Sequence, residues 1–542
     1  MNKRIIFIAD FFVEHILGGG ELNNEELVKL LEETGYEVEK VQSHVVDLAL
    51  LKREIDNFFI ISNFINLSYD CRSLLSSRAN YIIYEHDHKY LSSRNPSDYR
   101  DFKAPTRELR NYFFYKKARK VVCQSDFHKQ IVEKNLDIEN IISVGGNLWS
   151  TKTLNILRKI AQESKTPKCS IMRSSISHKN TQKARDYCES QNLEYDLVED
   201  SDPIKFLKKL GKNKTFVFFP GTPETLSRVI TEARMMGMSI KTNALVGAAQ
   251  EKWFSLKGEK LIDLMVEKRK EILRLFIEEI NCVAEHPPPQ KKISIITTFY
   301  KGDDFLDGFL DNITEQTIFD DCELIIVDTG SRGNEKKIIS SYARRYNNIK
   351  YFRHEDRLKP TVGLNLALKE VTGKYITFAF LDDRKSLDCL ESLLSELEGN
   401  TKVDLVYGDC LLTDIKNETF DESAATELFD HSTREFSREN MIKCLPGPMP
   451  MWRASIHEKN GFIDQESCDF ADDWEMRLRA VSEGSQFKKV DKTVGLCLQG
   501  GRSQQTHNVA QRREEAQIFY KYWHVFGKNF GTFKTYFDQF LN

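Results

Sequence analysis

Two hydrophobic patterns alternate along the chain: short, nearly continuous apolar runs rich in β-branched residues, and longer stretches whose apolar positions recur every three or four residues. The first predicts strands buried on both faces, as in parallel sheets, and the second predicts helices covering those faces. Lys3-Arg-Ile-Ile-Phe-Ile-Ala9 opens the chain in this way, and Lys292-Ile-Ser-Ile-Ile-Thr-Thr298 repeats the grammar near its middle. Leu17-Gly-Gly-Gly-Glu21 then leads into a helix over 23–32, with Leu27, Leu30 and Leu31 on one face. Further strands are expected at 58–61, 81–84, 120–123, 169–172, 195–198 and 215–219, and a charged helix from about Glu251 to Cys282. The second half reads β-α-β from Ile293 to Val327, followed by strands at 350–353, 375–381 and 404–407. This alternation predicts an α/β protein built from Rossmann-like units.

Glu285-His-Pro-Pro-Pro-Gln-Lys-Lys292 interrupts the pattern, because consecutive prolines favour an extended spacer and block helix or sheet. It divides the 542 residues into 1–284, with lobes of about 1–150 and 151–284, a linker at 285–292, and 293–542. Seventy-eight basic against 81 acidic residues leave a net charge of -3, so no global positive field draws in nucleic acid. Eleven cysteines without a CxxC pair read as buried thiols in a reducing compartment rather than as structural zinc. No uncharged stretch exceeds the 13 residues from Asn57 to Tyr69, which is short of a membrane span, so a cytoplasmic protein is expected. Peripheral contact with the inner face of a membrane stays open. The basic segment from Arg107 to Lys120 carries four aromatics at 112–115, which either rest on anionic headgroups or pack inside the first lobe. The aromatic tail from Phe519 to Phe540 docks on its own domain, binds glycan or touches membrane.

Three acidic positions in the second half fall where α/β sheets hold ligands, at the carboxyl ends of strands or at a helix start. The first, Asp328-Thr-Gly-Ser331, is either a ligand contact or a structural turn. The pair Asp382-Asp383 either holds a divalent cation on a diphosphate, hydrogen-bonds a ribose, or caps the next helix. Asp472-Asp473-Trp474 opens an amphipathic helix, where acids also favour the helix dipole.

In this order, and with Thr297-Thr298-Phe-Tyr300, Val362-Gly-Leu-Asn365, Met451-Trp-Arg453 and Lys459-Asn-Gly-Phe-Ile-Asp464, residues 292–508 resemble glycosyltransferase family 2, of the GT-A fold. The resemblance implies an inverting sugar transfer with Asp473 as general base. It places Asp328 at the nucleotide base, Asp382 and Asp383 at the ribose and diphosphate, and Thr298 in the nucleotide-sugar site. It also implies Mg²⁺ or Mn²⁺ on Asp383, with His507 as a further ligand. Where the family often has a third acid this chain has Arg384-Lys385, so the alternative is that Arg384 and Arg502 supply the positive charge directly.

In the first half, Glu224 and Glu232 stand eight apart, which predicts two turns of one helix face with Glu224 at the helix entrance. As a bare pair this reads as a solvated face. Together with Gly18-Gly19-Gly20-Glu21 and the pair Arg173 and Lys179, it makes residues 3–280 resemble glycosyltransferase family 4, of the GT-B fold, although Met172 stands where that family has glycine. The resemblance implies a retaining, metal-free transfer. Arg173 and Lys179 would hold the leaving diphosphate, aided by a helix N-terminus near Thr222. Glu224 would contact the donor sugar and Glu232 the ribose, with Gly19 and Gly20 lining the donor site. His86, in Tyr84-Glu-His86-Asp-His88 at a strand end, is either a catalytic contact or a structural histidine.

Together the two halves imply a bifunctional glycosyltransferase that uses nucleotide-sugar donors, UDP-sugars by default, and a growing glycan or lipid-linked glycan acceptor in surface polysaccharide biosynthesis. One rival keeps catalysis in the second half alone, with the first half binding acceptor. Another is a non-enzymatic nucleotide-sugar or glycan-binding scaffold. A dinucleotide oxidoreductase is disfavoured, because neither first strand leads into Gly-x-Gly-x-x-Gly.

Overall fold

The computed structural model describes residues 4–282, 291–443, 445–500 and 509–541. Most of the 285–292 proline segment lies outside these residues, as do Arg502 and His507. The chain divides into two units, Met1–Ala104 with Asn111–Pro288, and Pro105–Arg110 with Pro289–Asn542.

The first unit holds two all-parallel sheets. Six strands, β1 (Arg4–Ala9), β2 (Glu37–Gln42), β3 (Phe58–Ile61), β4 (Asn80–Tyr84), β5 (Lys120–Cys123) and β6 (Ile141–Ser143), pair in the order β2-β1-β3-β4-β5-β6. Four more, β7 (Thr166–Met172), β8 (Tyr195–Val198), β9 (Asn213–Val217) and β10 (Ser239–Lys241), pair as β10-β9-β7-β8. The central strands are the apolar runs, and Phe7, Ile60 and Ile82 are fully buried, as covering helices require. Strands β2, β6 and β10 were not expected. Glu37, Glu39 and Lys40 of β2 give no apolar run, and only its register on β1, from Arg4↔Glu37 to Ala9↔Gln42, makes it an edge strand.

The closing helix Glu259–Asn281 is shorter than expected. It buries Leu261, Ile262 and Met265 in the core beside the second sheet, and Ile272, Phe276 and Ile280 in the core beside the first. One stripe at three- and four-residue spacing thus serves both sheets. The aromatic segment forms only a short helix, Tyr112–Lys117, in which Tyr112, Phe114 and Tyr115 are buried in the core and Phe113 is half-buried. No helix among the described residues is long and apolar enough to cross a membrane.

The second unit is built on β11 (Ile293–Phe299), β12 (Cys322–Thr329), β13 (Ile349–His354), β14 (Tyr375–Phe378), β15 (Arg384–Lys385), β16 (Leu405–Thr413), β17 (Met451–Arg453) and β18 (Phe487–Leu498), in the order β13-β12-β11-β14-β17-β16-β18-β15. Strands β13, β12, β11 and β14 run parallel, whereas β17 is antiparallel to both of its neighbours. Helices Val509–Lys521 and Lys528–Asp538 dock the aromatic tail on this unit: Phe519 and Phe526 are buried, and the Phe526 ring centroid lies 6.1 Å from that of Trp474.

Candidate functional site

At the carboxyl edge of the second unit's parallel strands, Asp328 is the last residue but one of β12, opposite Phe299 of β11 and Arg353 of β13. It is buried, and its two oxygens accept from the Ser331 N–H at 2.8 Å and the Tyr351 hydroxyl at 2.7 Å. Gly330 turns with φ +89°, and a β-carbon there would come within 2.8 Å of the Asp356 carbonyl carbon, so the Asp-x-Gly turn requires glycine. Thr298, one residue before the end of β11, donates to the Val327 carbonyl at 3.1 Å.

Asp382 and Asp383 lie in the turn after β14 rather than within the strand. Burial, and then the Asp382 charge, push the Asp383 carboxyl up to about 7. Arg384 does not point its charge outward. It is buried and donates to the Leu381 and Asp383 carbonyls at 2.8 and 2.7 Å and to Asn417, fastening the turn from behind. Two of these bonds go to backbone carbonyls and one to the Asn417 side-chain oxygen, so the Arg384 guanidinium is engaged within the turn. The acid pair remains under-compensated, and this is the donor chemistry a hard cation fits. Among the described residues, no group of three or more His, Cys, Asp or Glu side chains gathers to hold a metal.

Asp472 and Asp473 begin helix Asp472–Ser482. Asp473 is 40% exposed and pairs with buried Arg477 at 3.0 Å. Asp472 accepts from the Thr361 hydroxyl, and burial followed by the Asp473 charge raise it to about 6. Thr361 belongs to helix Pro360–Lys369, which follows β13 at the same sheet edge. Asn365 of that helix donates to the Ile463 carbonyl at 2.9 Å and accepts from the Ile463 N–H at 3.1 Å. One helix thus ties the Asp472-Asp473 end to the edge that carries Asp328. The sequence marked Asn365 through its motif, but Thr361 and Tyr351 carried no local signal.

In the first unit the structure corrects two expectations. Gly19 and Gly20 do not precede the first helix; they are the first residues of helix Gly19–Glu33, four residues ahead of the expected start at 23. Glu224 and Glu232 do not share a helix: Arg228–Met235 starts four residues after Glu224, which is instead held by its N–H on Leu245 and its carbonyl on Gly247. Backbone bridging to the 245–247 segment delays the helix, so there is no helix N-terminus near Thr222.

Several of the expected residues nevertheless converge. The His86 ring stands 3.6 Å from where a Gly20 β-carbon would lie, and Arg228 stands 3.7 Å from the corresponding point on Gly19. His86 is fixed by Asn24 at 2.7 Å and by Gln124, which in turn accepts from Thr225 at 2.8 Å. Burial, then Lys89, hold its imidazole neutral, down at about 3. Glu232 accepts from the Trp149 indole at 2.9 Å and lies 3.2 Å from Arg228, and burial lifts its carboxyl above the usual range. Lys179 donates to Glu224 at 2.7 Å. Arg173 is left out of this group: it is 66% exposed and lies 3.6 Å from Glu199. Arg228, Gln124 and Thr225 were missed, because an arginine between two glutamates reads as an ordinary helix pair.

Residues 294–461 match the family model for glycosyl transferase family 2. A teichoic acid poly(glycerol phosphate) polymerase of Staphylococcus epidermidis is 32% identical over 93 residues, 17% of this chain and 13% of that protein. The glycosyltransferase GlyG of Streptococcus pneumoniae is 24% identical over 149 residues, 28% of this chain and 46% of that protein. A poly(ribitol-phosphate) beta-glucosyltransferase of Bacillus spizizenii is 33% identical over 94 residues, 17% of this chain and 15% of that protein. The chain therefore spans less than half the length of each of these relatives. Among solved structures, TarS 1-349 of S. aureus in complex with UDP aligns at a TM-score of 0.37 with 16% identity, over 45% of this chain and 72% of that one. The matched span contains the Asp328 turn, the Asp382-Asp383 turn and helix Pro360–Lys369, whereas Asp472 and Asp473 lie beyond it, so the likeness to glycosyl transferase family 2 is that of residues 294–461.

Proposed function

We propose that the second unit transfers a sugar from a nucleotide-sugar donor to a glycan acceptor with inversion. The observation that carries this reading is the linkage of Asp472, through Thr361, to helix Pro360–Lys369, whose Gly363 lies against Thr298 of β11 and Thr329 of β12 beside Asp328. An acceptor hydroxyl is a poor nucleophile at neutral pH, so a carboxylate must take its proton as it attacks the anomeric carbon from the face opposite the nucleotide. Asp473, the more exposed of its pair, has that role, and Arg477 orients its carboxylate. Asp328 and Thr298 hold the nucleoside end. Asp383, with Asp382, would hold Mg²⁺ or Mn²⁺, which when bound neutralises the charge that builds on the departing diphosphate. The relatives named for poly(glycerol phosphate) and poly(ribitol-phosphate) support a surface polymer as acceptor, and a UDP-sugar is the default donor.

For the first unit the reading is a GT-B-type retaining site, in which Lys179 and Arg173 meet the diphosphate, Glu224 the donor sugar and Glu232 the ribose, with His86 beside Gly19 and Gly20. One observation favours a second reading, an acceptor-binding module: Lys179 and Glu224 neutralise each other, and Arg173 pairs outward with Glu199. The test is a nucleotide-sugar screen on the intact chain, Asp473→Asn and Glu224→Ala. Bifunctionality predicts that each substitution abolishes a different product. If Glu224→Ala leaves every product unchanged, the first unit is a binding module, and if Asp473→Asn still transfers normally, the base assignment fails.

A further inference from the structure

Helix Asp472–Ser482 has an unusual start: its N-cap is Ala471, which offers no side-chain acceptor to the exposed backbone donors. Within the helix the Asp473 N–H donates to the Asp472 carboxylate, and the segment leading into it is held by helix Val509–Lys521, beyond the 294–461 span. The Glu514 carboxylate receives three successive backbone N–H groups, those of Asp469 at 2.8 Å, Phe470 at 2.9 Å and Ala471 at 2.7 Å. Consecutive amides converging on one anion form a nest, and here the anion is covalently part of the same unit. Lys359, which immediately precedes the helix carrying Thr361, pairs with Asp469 at 2.6 Å and closes the same loop from the strand edge.

A second set of contacts lies one turn further along. Buried Glu475 accepts from Tyr522 at 2.6 Å and Lys521 at 2.8 Å, and is bridged to Arg479 at 3.0 Å. The C-terminal segment therefore grips the acid-bearing helix twice. The Glu475 grip lies on the buried side of the helix, whereas the Glu514 grip lies on the three residues that lead directly into Asp472 and Asp473.

We infer that Glu514 is a positioning residue for the proposed transfer: by gathering the 469–471 amides it fixes the first turn that aims Asp473 at the acceptor hydroxyl. The inference rests on Asp473 acting as base, but its geometric half does not. A carboxylate that must meet a hydroxyl in line with the anomeric carbon tolerates little displacement, and a shift of about 1 Å can cost roughly a hundredfold in rate. Glu514 touches no reacting atom in this scheme, so its loss should lower kcat and leave donor recognition at Asp328 alone.

The experiment compares full-length wild type, Glu514→Ala, Glu514→Gln and Asp473→Asn by steady-state transfer kinetics and by amide hydrogen exchange. Glu514→Ala is expected to reduce kcat about 10- to 100-fold with donor KM within about twofold, and to speed exchange of the Asp469, Phe470 and Ala471 amides. Glu514→Gln keeps one carbonyl acceptor and should recover part of both losses. Unchanged kcat together with unchanged exchange in Glu514→Ala would overturn the inference, as would a loss confined to donor KM. Should Glu514→Ala fail to fold, wild-type kinetics in Glu514→Gln with unaltered 469–471 exchange would overturn it equally. If wild type transfers no sugar, the functional reading fails, while exchange at 469–471 still judges the nest.

Discussion

Arg384 occupies the position where a third acid was expected, and replacing it by methionine separates the two roles a cation could have there. The substitution keeps most of the buried side-chain volume and removes the guanidinium. Two backbone carbonyls, of Leu381 and Asp383, then lose donors at 2.8 and 2.7 Å, Asn417 loses a third bond, and the Asp382-Asp383 pair loses one of its two buried countercharges, Lys385 being the other. Hydrogen bonds from a charged donor contribute about 1.5–3 kcal/mol each, and removing one member of a buried charged arrangement costs about 3–5 kcal/mol overall. The larger bracket already contains the hydrogen bonds, so about 3–5 kcal/mol is the expected destabilisation of the second unit. For a unit of this size each kcal/mol lowers Tm by about 2–4 °C, so the melting transition should fall by roughly 10 °C. Differential scanning calorimetry at pH 7.5, with transitions assigned by a separate first-unit substitution, reads this directly. The reasoning is refuted if Arg384→Met melts within about 1 °C of wild type while donor affinity falls about tenfold, since the guanidinium would then be serving the diphosphate instead of the turn.

Two further outcomes follow from buried titratable groups. Burial lowers His86 to about 3 and His88 to about 4, so both imidazoles are neutral in the fold while the unfolded chain protonates near 6.5. Their contribution is complete above pH 6.5 and is lost as pH falls toward the folded values, by about 2 kcal/mol per histidine at pH 5. The urea midpoint of the first unit should therefore drop between pH 7.5 and 5, and His86→Gln should flatten that slope; an unchanged slope would contradict the neutral buried imidazole. At the other unit, Mn²⁺ should raise the melting temperature of wild type at pH 7.5 and leave Asp383→Asn unmoved, and an equal rise in both would place any bound cation elsewhere.

The fold was legible wherever burial forces a sequence pattern. Ile5 to Ala9 and Ile293 to Phe299 lie in central parallel strands that must be apolar on both faces, and so they announce themselves. The Asp-x-Gly turn at Asp328 and the Asp-Asp-Trp start at Asp472 were legible because short-range geometry, a positive φ or a helix terminus, restricts which residues fit. Strand β2 was not, since an edge strand half open to solvent can be charged, and only its neighbour defines it. The Glu224–Glu232 interval misled for a related reason: backbone pairing between Glu224 and the 245–247 segment, distant in sequence, overrode the helical periodicity of the segment itself.

By itself, then, the sequence determined which segments are interior, where the chain turns at a strand edge, and which acids stand at those turns. Tertiary structure alone decided what each charge is spent on. Arg384 and Arg173 are equally cationic as letters, yet one is consumed by the carbonyls of its own turn and the other faces Glu199 in solvent. Glu514 looks like any helix-surface glutamate until three amides from a segment more than forty residues away close around it. Hydrophobic patterning is written locally because each residue meets the core on its own, whereas the partner of a buried charge or an open amide is set by whatever the fold brings within hydrogen-bond reach.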